Sequence, residues 1–203
     1  MISGLNNITK QPIVIIASPR TGSTALAHHL ANLYPHLAFF SEPNFTPSLM
    51  EDFVDYTTVQ NKNNYILKIL GSSLNLYPSE VIATMFSNKT FKIKITRKNV
   101  IEQMSSYYVA DCRSIWEYAE VKDNVVTDLL TNNIEIDIIK LRRAIDRVEH
   151  DNYILSKISA DLELHYEDFD DFLSPTKKTP LPANYSKVVE LLSKLYSPGI
   201  RQY

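Results

Sequence analysis

PIVIIASPRTGSTALAHHL, from Pro12 to Leu30, changes character twice along its length. Ile13 to Ala17 is a short apolar run rich in β-branched residues, which reads as a strand buried on both faces. Ser23 to Leu33 is rich in alanine and leucine and reads as a helix. Between them lies Ser18-Pro19-Arg20-Thr21-Gly22-Ser23-Thr24. Gly22 lets the backbone turn and approach a ligand closely, and the amides from Thr21 to Thr24 are the donors that a helix start leaves without intrahelical acceptors. The hydroxyls of Ser23 and Thr24 add to them. Arg20 is the odd residue, because a cation beside the positive end of a helix dipole is unfavourable unless an anion lies between them. The loop therefore reads as an anion cradle.

Outward from this segment, strand and helix patterns alternate. Apolar runs at Pro12 to Ala17, Leu37 to Phe40, Tyr65 to Leu70, Phe91 to Thr96 and Leu162 to Tyr166 read as strands. Thr46-Pro47, ahead of Leu49, Met50 and Phe53, signals a helix start, and Pro78-Ser79-Glu80 signals another. Asn99 to Ala110 follows the fourth strand, and Ile138, Leu141, Ile145 and Val148 form a stripe at helical spacing. Asn184 is placed to cap a last helix bearing Val188, Leu191, Leu192 and Leu195. This alternation predicts an α/β protein whose mainly parallel central sheet is flanked by helices in a three-layer sandwich. With 203 residues, no repeat and no low-complexity linker, the chain is expected to form one domain over residues 1–203.

Composition narrows the function classes. Apolar residues make up 44% of the chain and charged residues 22%, the balance of a globular protein. A net charge of −2 speaks against a protein that coats nucleic acid, which needs excess Lys and Arg to displace counterions. Any phosphate site must then be local. Cys112 is the single cysteine, which excludes an internal disulfide and a cysteine-based zinc site. His28 and His29 fall inside the first helix, away from its ligand-facing start, and His165 falls in a strand; no metal-ligating His-Glu-x-x-His string exists, and no metal is expected. The first apolar run is too short for a signal-peptide core or a membrane span, so a cytoplasmic protein with no span is expected.

In open parallel sheets, ligands sit beyond the C-terminal ends of the strands. After the fourth strand the chain reads Lys94-Ile95-Thr96-Arg97-Lys98-Asn99, again placing basic residues at a strand end and a helix start. Alone, Arg97 would read as a solvated surface arginine. Two basic places on one sheet edge predict a ligand with two anionic groups.

These residues resemble a known family, the sulfotransferases that use 3′-phosphoadenosine 5′-phosphosulfate (PAPS). PRTGST, Pro19 to Thr24, is similar to their phosphosulfate loop. Arg97 and Ser105 in ITRKNVIEQMSSYYVA resemble their second motif, a strand ending in arginine with a serine eight positions later, which grips the 3′-phosphate. LHYEDF, Leu164 to Phe169, is similar to the late strand whose tyrosine, here Tyr166, lies near the adenine. SPTKKTPLPANYSKV, Ser174 to Val188, resembles the late basic loop that closes over the nucleotide, which brings in Lys177 or Lys178. Glu42 in FFSEPNF stands where carbohydrate-acting members carry a glutamate base, and Lys68 in YILKIL resembles a lysine that helps to neutralise the transferring group.

The resemblance implies a P-loop-like fold and transfer of a sulfuryl group from PAPS to a hydroxyl of a small-molecule or glycan acceptor, without metal. It implies Glu42, Arg20 and Lys68 as catalytic residues, and Arg20, Thr21, Gly22, Ser23, Thr24, Arg97, Ser105, Tyr166, Lys177 and Lys178 as donor-binding residues. Asp111 to Asn133 matches no part of the pattern; Tyr107, Tyr108 and Trp116 either line an acceptor pocket or pack in the core. The main rival is a kinase or hydrolase that binds nucleoside triphosphates. Its Walker loop, Gly-x-x-x-x-Gly-Lys-Ser/Thr, cannot be written with glycines at Gly4, Gly22, Gly71 and Gly199, nor can the three-glycine dinucleotide fingerprint. A non-catalytic nucleotide-binding protein on the same fold is a second rival, and Glu42 separates the two readings, since an inactive relative can lose the base and keep the loop.

Overall fold

The computed structural model describes residues 11–43, 46–114, 116, 132–168 and 181–196. Strands are β1 (Ile13–Ala17), β2 (Ala38–Ser41), β3 (Tyr65–Leu70), β4 (Phe91–Thr96) and β5 (Leu162–His165). Helices are α1 (Ser23–Leu33), α2 (Pro47–Val54), α3 (Ser79–Met85), α4 (Val100–Arg113), α5 (Ile138–Ser156) and α6 (Tyr185–Leu195). The described residues fall into two compact units, one of 11–98 with 150–168 and one of 99–149 with 181–196. No helix among them is long and apolar enough to cross a membrane.

The first unit is built on a five-stranded sheet in the order β2-β3-β1-β4-β5, with every neighbouring pair parallel. β1 is central, pairing Ile15 with Lys68 on one side and with Ile93 on the other. A strand in that position has no solvent face, which is why IVIIA is apolar throughout and wholly buried. Its side chains alternate. Ile13, Ile15 and Ala17 pack with Leu26, Ala27 and Leu30 of α1, whereas Val14 and Ile16 pack with Phe53 of α2, Val81 and Met85 of α3 and Leu155 of α5. Helices thus cover both faces and the protein is the α/β sandwich that the alternating sequence predicts.

Three differences from the sequence reading have local causes. β2 starts one residue later than its apolar run and takes in Ser41, which pairs with Lys68. β5 ends at His165, and Tyr166 opens a short helical turn instead of finishing the strand. At the end of β3 the chain tightens into a 3₁₀ turn, Gly71–Leu76, where α5 approaches closely. A Cβ at Gly71 would come within 3.3 Å of Asp151 Oδ1 and 3.4 Å of the Asp151 carbonyl oxygen. Asp151, fully buried, accepts a hydrogen bond from the Ser72 amide at 2.7 Å.

The second unit contains α4, residues 138–149 of α5, and α6, with Met104, Tyr108, Leu141, Ala144, Val148, Val188 and Leu192 in its core. Asn99 caps α4, its side chain accepting from the Glu102 amide at 3.0 Å. Asn184 sits at the N-cap position of α6 but makes no cap bond. Its amide instead clasps the backbone of Ile134, accepting from N at 3.0 Å and donating to O at 2.8 Å. Ile138, the first residue of the helical stripe in α5, is 47% exposed, because the buried face begins only at Leu141.

Replacing Asp151 with alanine leaves the Ser72 amide without its carboxylate acceptor inside the fold. The Asp151→Ala variant is expected to lose about 1–3 kcal/mol of stability, read from the urea midpoint at unchanged slope.

Candidate functional site

Because all five strands run the same way, the segments that leave them emerge on one edge of the sheet. From β1 the chain passes through α1 to β2, beyond β3; from β3 it passes through α3 to β4, on the other side of β1. Direction reverses between β1 and β3, and such a switch point opens a crevice at the C-terminal strand ends. Arg20 to Thr24, Glu42, Lys68, Arg97 and Tyr166 all lie in or just beyond the last residues of the strands on this edge.

The loop after β1 is shaped by two left-handed residues. Arg20 has φ 62° and Gly22 φ 70°, while Thr21 between them is not left-handed. Alternating handedness turns successive amides toward one side and makes a concave nest for an anion. Thr21 Oγ1 closes the turn by donating to the Ser18 carbonyl at 2.8 Å. The first bond inside α1 runs from Leu26 N to Gly22 O, so the Ser23, Thr24 and Ala25 amides have no acceptor within the helix. No side chain caps this end and no acidic residue stands in its first turn. An anion held by the loop would face the positive pole of α1.

Glu42 and Lys68 meet beside the loop. Ser41 is the register partner of Lys68, and the Glu42 amide donates to the Lys68 carbonyl at 2.7 Å, extending the ladder one residue past β2. That bond places the Glu42 carboxylate against the Lys68 ammonium, and the two form an ion pair. Lys68 is 3% exposed, on a strand otherwise made of tyrosine, isoleucine and leucine. A buried ammonium is tolerated when a carboxylate balances it. Glu42 has φ 45°, a conformation that a non-glycine residue adopts at a cost and that clusters at functional positions.

Arg97 leaves β4 with its guanidinium over the Tyr166 ring, 4.6 Å from the ring centre. Its Nη1 points to the carbonyl of Arg20 at 3.5 Å, so the two basic places foreseen on the sheet edge adjoin each other. Around them are contacts that sequence reading missed. Thr96 Oγ1 and His165 Nδ1 lie 2.8 Å apart, the Lys98 amide donates to Glu167 Oε2 at 3.0 Å, and Lys98 Nζ binds Asp168 Oδ1 at 2.5 Å. The Lys98 hydrogen bond holds the Asp168 carboxyl below the usual carboxylate range. These contacts clasp the end of β4 to the end of β5 across separations of 69 and 70 residues, and no local pattern announces such pairs.

The remaining expected residues belong to the second unit or lie outside the described residues. Ser105 belongs to the second unit, is fully buried and donates its hydroxyl to the Ile101 carbonyl at 2.8 Å. Tyr108 is fully buried in the same unit, its hydroxyl donating to Glu135 O and accepting from Asp137 N at 2.9 Å each; burial pushes its pKa up. Tyr107 meets Trp116 edge to face with ring centres 5.2 Å apart. Lys177 and Lys178 lie outside the described residues. Among the described residues, no group of three or more His, Cys, Asp or Glu is arranged to hold a metal ion.

No protein-family model matches the chain, and no curated protein does either.

The left-handed Arg20 can be tested apart from any ligand. Arg20→Gly and Arg20→Ala both remove the guanidinium, but only glycine removes the strain of a Cβ at positive φ. The glycine variant is expected to be more stable than the alanine variant by about 1–2 kcal/mol in urea denaturation, and equal stability would contradict the backbone conformation.

Proposed function

We propose that the protein transfers a sulfuryl group from PAPS to a hydroxyl of a small-molecule or glycan acceptor. The observation that carries this reading is the meeting, on one sheet edge, of an uncapped helix start with a left-handed Arg20, the Arg97 guanidinium and the Glu42–Lys68 pair. It is an anion site with two basic ends and a carboxylate beside it. The resemblance of PRTGST and of Arg97 to the sulfotransferase motifs gives that chemistry its direction.

In this reading the amides after Arg20, with the Arg20 side chain and the Ser23 and Thr24 hydroxyls, hold the phosphosulfate. The acceptor oxygen attacks sulfur in line, the sulfur–oxygen bond to the 5′-phosphate breaks, and its electron pair stays on the leaving phosphate. Charge grows there as the bond opens, where fixed donors stabilise it most. The acceptor proton passes to Glu42. Lys68 helps to neutralise the transferring sulfuryl group. Arg97 holds the 3′-phosphate.

Thermal-shift titration tests the donor half of this reading. 3′-Phosphoadenosine 5′-phosphate, without metal, is expected to raise the melting temperature, and Arg97→Ala to cut the rise to that given by adenosine 5′-phosphate. Stabilisation by ATP with Mg²⁺ alone would point to the kinase class instead. For the chemical half, Glu42→Gln keeps an oxygen for Lys68 and removes the base. It is expected to bind the bisphosphate as the wild type does while releasing it from PAPS, with hydroxyl acceptors present, about 10²- to 10⁴-fold more slowly. Unchanged release would remove Glu42 from the mechanism.

A further inference from the structure

Arg97 is held from three sides within the first unit. Its guanidinium carbon lies 4.6 Å from the centre of the Tyr166 ring, Nε is 3.9 Å from Glu167 Oε1, and Nη1 is 3.5 Å from the Arg20 carbonyl oxygen. Its side chain is only 16% exposed. Glu167 is fixed in turn by the Lys98 amide at 3.0 Å. A free arginine side chain carries much rotamer entropy that an anion must remove on binding. Here consecutive residues just after β5 restrict the guanidinium before any ligand arrives, and preorganisation of that kind raises affinity without adding a contact to the ligand.

We propose that Tyr166 is a positioning residue for Arg97, its ring holding the guanidinium beside the loop after β1 and so setting affinity for nucleotides that carry a second phosphate. The proposal rests on the donor-binding reading of this edge. It departs from the family resemblance, in which the tyrosine lies near the adenine, because one face of the ring already carries the guanidinium. On this account Tyr166 acts on the phosphate through Arg97 and leaves the base alone.

The test compares two probes by calorimetry, 3′-phosphoadenosine 5′-phosphate and adenosine 5′-phosphate, which share the base and differ in the second phosphate. Tyr166→Leu is expected to weaken the bisphosphate about 2- to 30-fold and to leave the monophosphate unchanged, whereas Tyr166→Phe, which keeps a ring face, is expected to bind both as the wild type does. Adding Tyr166→Leu to Arg97→Ala should cost nothing beyond Arg97→Ala. Equal weakening of both nucleotides, or losses that multiply in the double variant, would overturn the proposal. Should Tyr166→Leu fail to fold, the wild type still decides: the Arg97 Nε–H proton resonance should be displaced upfield by the ring, and an undisplaced resonance overturns the stacking. Failure of the wild type to bind either nucleotide is a different result, which overturns the donor-binding reading itself.

Discussion

A sheet whose strands all run one way must send every connection out from the same edge, and this constraint organises the rest of the first unit. β1 pays for its central place by giving up any polar position, since Ile13 to Ala17 are buried on both faces between β3 and β4. In return, the loop that follows it opens where the chain's winding reverses. Residues far apart in sequence, Arg20, Glu42, Lys68, Arg97 and Tyr166, arrive at this edge because each sits at or near the end of a strand. No one of them needs a special fold to get there.

At that edge the chain departs from the local rules that it obeys elsewhere. Arg20 and Glu42 take left-handed conformations that favour glycine, α1 starts without a capping side chain, and a lysine is buried in β3. Each departure has a local cost, and neighbours hold some of them: a backbone bond from Glu42 to Lys68, and a threonine turn onto Ser18 beside Arg20. Concentrated breaches of this sort separate a working surface from mere packing.

Much of this was legible from residue order. Apolar runs located every strand of the described sheet to within a residue or so: β1 and β3, wholly buried, are nearly all apolar, and β4 and β5 alternate apolar with polar side chains. Gly22 and the hydroxyls after it marked the loop, and a strand end marked Arg97, whereas Glu42 was singled out by the family resemblance. Other features were not legible. Nothing in the residues around Arg20 announces its positive φ, which is set by the path from β1 into α1. The clasps between Lys98, Glu167 and Asp168, and the turning of Asn184 toward Ile134, are tertiary contacts between segments that only folding brings together. Asn184 shows the limit well: its position at the helix start was foreseen, but a side chain with two good partners across the fold does not cap.

The Glu42–Lys68 pair ties the stability of the chain to the residue that the proposed reaction uses as its base. Lys68 is buried, and its ammonium rests against the carboxylate of the half-buried Glu42. On the proposed reading, a descendant of this sequence that drifted at Glu42 alone would lose its base and fold strength together, because the buried lysine would lose that carboxylate. A coupled change, with an apolar residue replacing Lys68, would recover that loss. On the proposed reading, drift toward a sturdy binder without a base therefore favours a change in β3 as well as one just after β2.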